Sequence, residues 1–159
     1  MIQLSKQENT TLEKRRLRMW IRMLRTTRAV ESRLRDFLRE EYDTTLPRFD
    51  VMAALYRAEG GLKMSALSKQ LLVSNGNVTG IVDRLVADGL IQRVAVKDDR
   101  RAVRVSLTQK GRTLFTRMAQ GHEALLNDLF SPMADKDLNV MADIFGRLKH
   151  MDGDDDFND

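Results

Sequence analysis

The stretch from Met64 to Gly111 constrains the fold more than any other part of this chain. It spells a short helix, a break, a second helix with a polar outer face, and then a basic hairpin. Leu67, Leu71 and Leu72 fall on one face of the first helix, and the pattern breaks at Val73. Ser74 is placed to cap the next helix, its hydroxyl accepting from an amide that the first turn leaves unpaired. In that helix Val78, Ile81, Val82 and Leu85 recur at three- and four-residue steps and so face a core. Asn75, Asn77, Thr79, Gly80 and Arg84 are left outward. Amides and hydroxyls both donate and accept, and glycine allows close approach, so this face suits a nucleic-acid groove. A merely solvated face more often carries Glu and Lys.

Asp88-Gly89 ends the second helix, glycine taking the left-handed turn. Leu90 to Val96 and Ala102 to Leu107 are then rich in β-branched residues, with Lys97-Asp98-Asp99-Arg100-Arg101 between them. This pattern predicts a hairpin with a charged tip. Arg100, Arg101 and Arg104 would set guanidinium groups beside phosphates or in a minor groove, and Asp99 would orient Arg101 or Arg84 through a charge-assisted hydrogen bond. Without DNA, the same residues would make a salt-bridged, solvated hairpin.

These motifs carry a family resemblance. Asp99-Arg-Arg101-Ala102 with Val-Arg-Val-Ser and Leu107-Thr108-Gln-Lys-Gly111 resembles the wing signature of the MarR (multiple antibiotic resistance regulator) family. Leu67-Ser-Lys-Gln-Leu71 and Val78-Thr-Gly-Ile-Val-Asp-Arg-Leu85 resemble its helix-turn-helix. The resemblance implies a mainly α fold with a small β-hairpin wing, a winged helix-turn-helix flanked by long terminal dimerisation helices. It also implies a homodimer, probing a pseudo-palindromic double-stranded DNA operator as a transcriptional repressor. The DNA contacts would fall on Ser65, Ser74, Asn75, Asn77, Thr79, Arg84, Asp99, Arg100, Arg101 and Arg104, with Arg101 in the minor groove. Gly80 departs from members that carry a basic or larger residue there.

The flanking segments are amphipathic. Leu17, Trp20, Leu24, Thr27, Glu31, Leu34 and Leu38 follow helical steps from about Thr11 to Glu41, and Pro47 opens the next helix. Thr108 is placed to cap a helix reaching about Phe130; after Ser131-Pro132 another runs from Ala134 to His150 with Leu138, Met141, Phe145 and Leu148 on one side. One winged-helix domain is too small to bury all these stripes, so a second copy is expected to cover them, the alternative being a monomeric bundle. The expected organisation is 11–45 and 108–150 as dimerisation region, 46–107 as DNA-binding domain and 151–159 as a disordered acidic tail.

Arg16 and Arg28 lie within or beside the apolar stripe, near Trp20, Met23 and Thr27, whereas the other first-helix arginines mostly lie opposite. Arginine next to tryptophan suits an aromatic carboxylate or a larger anionic thioester, through paired hydrogen bonds and stacking; intersubunit salt bridges are the alternative. Resemblance to the family places an effector between the dimer helices and the winged domain, which adds Phe49 and Met52. It makes aromatic acids, or hydroxycinnamoyl or benzoyl coenzyme A thioesters, the expected small-molecule class.

Charge agrees with a polyanionic partner. The chain of 159 residues is formally +4, but its last nine residues hold five Asp and no Lys or Arg. The first 150 therefore carry 27 basic against 18 acidic side chains, a net +9. With no cysteine, disulfides, thiolate metal sites, thiol nucleophiles and cysteine-based peroxide sensing are excluded. His122 and His150 lack a partner at ligand spacing, so no metal and no cofactor are expected. No phosphate-cradling glycine loop or nucleophile motif points to an enzyme. No apolar run approaches the ~20 residues that span a bilayer and no signal-peptide pattern opens the chain, so a cytoplasmic protein without a membrane partner is expected. The rival reading is a helical dimerisation scaffold without sequence-specific DNA binding.

Overall fold

The computed structural model describes residues 11–71, 75–96 and 99–148, with side chains described throughout except at 75, 76 and 99–102. In chain order the elements are α1 (Leu12–Tyr42), α2 (Leu46–Arg57), β1 (Leu62–Lys63), α3 (Met64–Leu71), α4 (Asn75–Ala87), β2 (Ile91–Val96), β3 (Asp99–Leu107), α5 (Gln109–Leu129) and α6 (Asp135–Leu148). Helices dominate, as expected, and the wing is present. The sheet has one strand more than the hairpin that the sequence suggests. Its order is β1-β3-β2, all antiparallel, because Leu62 and Lys63 pair with Val105 and Arg104.

Local chemistry starts and stops these helices. The Thr11 hydroxyl accepts from the Lys14 amide at 3.4 Å, and the Thr45 hydroxyl from the Arg48 amide at 3.4 Å, each pairing a first-turn donor. Asp43 ends α1 in the left-handed conformation, which the short polar aspartate tolerates better than most L-residues. Gly61 follows α2 with φ +74°, and a Cβ there would sit 2.5 Å from the Val105 carbonyl oxygen. Only glycine lets β1 begin this close to β3.

The chain divides into two compact units, one ending at His122 and the other beginning at Glu123. In the first, α2 is the central helix, burying Phe49, Val51, Met52, Ala54 and Leu55. Around it close Leu38 from α1, Leu67 from α3, Val78, Val82 and Leu85 from α4, Ile91, Val105 and Leu107 from the sheet, and Phe115 and Met118 from α5. The division between units falls within α5, because the end of α1 and the first turns of α5 enter the winged-helix core. Rings from α2 and α5 interleave: Tyr56 on Phe115 (4.8 Å), Phe115 on Phe49 (5.3 Å) and Phe49 on His122 (4.6 Å, 19° between planes). His122 is thus a half-buried packing residue, and burial lowers its pKa.

In the second unit, α6 is capped by the Asp137 carboxylate, which accepts from the Ala134 amide at 2.8 Å. None of its side chains is buried. The described helix ends at Leu148; His150 and the acidic tail lie outside the described residues.

Candidate nucleic-acid interface

Helix α4 is held by its inner face. Val78, Val82 and Leu85 are fully buried and Ile81 is partly so, while Asn77, Thr79, Gly80, Asp83, Arg84 and Ala87 are exposed. At 100° per residue, Gly80, Asp83 and Ala87 form the centre of the outward arc, with Asn77 and Arg84 on one shoulder and Thr79 on the other. A Cβ at Gly80 would meet no atom within 4 Å. The outward face is therefore open at Gly80 and flanked there by hydrogen-bonding side chains.

The C-terminal end of α4 is gripped from two directions. Gly89 turns the chain with φ +72°, and the Leu90 amide donates to the Leu85 carbonyl at 2.9 Å. Arg48 of α2 reaches the Asp88 carboxylate at 2.5 Å, and Lys110 of α5 donates to the Asp88 carbonyl at 2.9 Å. The Thr108 hydroxyl donates to the Gly89 carbonyl at 2.7 Å and accepts from the Gly111 amide at 3.0 Å, performing the capping expected of it. At Gly111 a Cβ would lie 2.1 Å from the Leu90 carbonyl oxygen, so glycine is required where α5 crosses this turn. The orientation of α4 is thereby tied to α2 and α5.

The wing root carries its own cations. Lys63 on β1 lies directly across from Arg104 on β3, which in turn faces Val94 on β2. Both cations are exposed, and Arg104 Nη1 donates to the Gly60 carbonyl at 3.3 Å. Two like charges side by side on a sheet repel unless an anion joins them. Lys63 escaped the sequence reading because a two-residue strand has no periodicity to detect.

The side chains of Asn75, Asp99, Arg100 and Arg101, and Ser74 altogether, lie outside the described residues. The backbone puts Asn75 at the start of α4 and residues 99–101 at the start of β3. Ser65 is exposed in the first turn of α3. The expected Asp99 contact to Arg84 or Arg101 rests on the Asp99 side chain, which lies outside the described residues. A different ion pair links α4 to the wing, between Asp83 and Arg93 of β2. Sequence reading missed it because Arg93 stands in an apolar strand.

The seven effector-site candidates do not converge within one chain. Arg16, Trp20, Thr27 and Arg28 are exposed on α1 and Met23 is half-buried, whereas Phe49 and Met52 are buried in the core that Leu38 of α1 joins. Arg16 is 22 residues before Leu38, roughly 33 Å along the helix at 1.5 Å per residue. The common face that places these residues on one stripe carries no information about which end of α1 meets α2.

The MarR family profile matches residues 42–102, from the end of α1 through the start of β3. A MarR family transcriptional regulator from Silicibacter pomeroyi is 33% identical in its crystal structure, with a TM-score of 0.73 over 87% of this chain and 96% of that one. The chain belongs to the MarR family. It is a winged-helix, DNA-binding transcriptional regulator, not an enzyme. A mutant MarR from E. coli solved with operator DNA shares the fold at 22% identity, with a TM-score of 0.74 over 87% of this chain and 98% of that chain. NadR, solved with 4-hydroxyphenylacetate, shares it at 21% identity, with a TM-score of 0.67 over 80% of this chain and 89% of that chain. Among the described residues no helix is long and apolar enough to cross a membrane, and no cluster of His, Asp or Glu could hold a metal ion.

Proposed function

We propose that this MarR-family regulator acts in the cytoplasm as a homodimeric repressor on a pseudo-palindromic operator and releases it on binding an anionic aromatic effector. The observation that carries the dimer is the uncovered apolar surface of the terminal helices. On α1, Leu17 and Trp20 are 58% and 54% exposed; on α6, Leu138, Val140 and Phe145 are 51%, 56% and 47% exposed. Among the described residues no element covers either set, and apolar surface of this extent is what a second copy removes from water. Two copies would set two α4 helices about 34 Å apart for successive major grooves, Asn75, Asn77 and Thr79 reading edges or phosphates and Arg101 entering the minor groove.

The solved MarR–operator complex supports the DNA mode, and the NadR complex supports a small aromatic carboxylate as the effector class. Arg16 and Arg28 supply the guanidinium groups and Trp20 the stacking surface, with Met23 and Thr27 between them. Phe49 and Met52, 6% and 1% exposed in the core of their own chain, present no surface to such a ligand. A ligand held there that prefers the conformation with misplaced α4 helices releases DNA by that difference in affinity alone. Coupling of ~1–3 kcal/mol corresponds to a change of about 5- to 150-fold in operator affinity.

Calorimetric titration with free aromatic acids and their coenzyme A thioesters, paired with operator titrations, tests the effector. One class is expected to release heat with the wild type, to lose it with Arg16→Ala, and to weaken operator binding. An operator affinity unchanged by every compound contradicts ligand-controlled release.

A further inference from the structure

The Arg93–Asp83 pair has a role that its surface position hides. Asp83 lies at the centre of the outward arc of α4, three residues after Gly80 and four after Thr79. A bare carboxylate there would face the DNA phosphates. Arg93 lies on β2 opposite Val105, in register with Leu62 on β1 and two residues after Ile91. Ile91 and Val105 are buried, so strand alternation puts Arg93 on the core-facing side of the sheet, on its edge strand β2. From there its guanidinium reaches over the edge to the Asp83 carboxylate, and both side chains stay about half exposed.

We infer that Arg93 is a positioning residue for DNA binding that neutralises Asp83 on the DNA-facing arc and ties the wing root to α4. This rests on the placement of α4 against DNA. The pair is net neutral and Arg93 makes no phosphate contact of its own. An arginine on a basic wing would ordinarily be counted as a phosphate ligand; this one is committed to the protein.

Three variants test it in operator titrations over a series of salt concentrations: Arg93→Gln, Asp83→Asn and the double variant. Arg93→Gln exposes the carboxylate and is expected to weaken binding at least tenfold. Asp83→Asn stays within about threefold of the wild type or binds more tightly, and the double variant recovers to within about threefold. Its slope of log affinity against log salt equals that of the wild type, since one neutral pair replaces another. A double variant as weak as Arg93→Gln, with a slope shallower by about 0.9, means that Arg93 touches a phosphate and overturns the inference. So does an Asp83→Asn variant as weak as Arg93→Gln, which makes the carboxylate a structural tie or a base contact. Asn77→Ala distinguishes failure of the inference from failure of the α4 placement: it relaxes sequence preference if α4 lies in the groove, whatever the Arg93 series gives.

Discussion

Gly80 shows how a single residue can be unexplained by its own chain. A glycine inside a helix costs about 0.5–1 kcal/mol relative to alanine. Space does not demand it, since a Cβ there meets nothing. Close approach of a groove wall or phosphate, as proposed for α4, would compensate for the cost. Gly80→Ala is expected to raise the thermal midpoint by ~1–4 °C while weakening operator binding, which a melt and a titration on the same sample would show. Unchanged affinity in a stabilised variant contradicts the close approach. Gly61 and Gly111 are glycines of the opposite kind, held by carbonyls of Val105 and Leu90. At this scale the buried face of α4 was legible because Val78, Val82 and Leu85 repeat locally. The need for Gly61 and Gly111 was not, because the atoms that would clash come from distant sequence.

Elements read well where period and punctuation agree. The start of α2, the capped start of α5 and the glycine end of α4 fall where Pro47, Thr108 and Gly89 put them. β1 was invisible at two residues, and the pairing of Arg93 with Asp83 needed knowledge of which sheet face meets α4. The α2–α5 packing adds a pH dependence. Burial lowers the pKa of His122 from its ordinary 6.5, so the folded state binds fewer protons than the unfolded one. That contribution to stability is complete above about pH 6.5 and is lost as pH falls through the lowered folded value. Asp50 shifts the other way: burial first, and then Glu31, raise its pKa, so its contribution is complete at acid pH and lost as pH rises through the raised value. Denaturant midpoints at pH 7.5 and 5.5 are expected to differ less in His122→Phe than in the wild type. An equal pH dependence in both proteins would remove His122 as its source.

For the whole molecule, the organising quantities are charge and uncovered apolar surface. A net +9 over the first 150 residues suits a polyanion, and the open faces of α1 and α6 suit a second copy. The family and the winged helix were legible because spaced motifs recur in a fixed order. The effector site was not, because its candidates divide between residues 16–28 of α1, before the turn where Leu38 meets the core, and side chains buried in that core. Symmetry links these observations, since a dimer that aligns two α4 helices must select a two-fold DNA sequence. Selection of bound sequences from a random duplex library tests that claim most directly. The account predicts an inverted repeat with half-site centres about 10 base pairs apart; enrichment of a single unpaired half-site, or of no sequence at all, would contradict it.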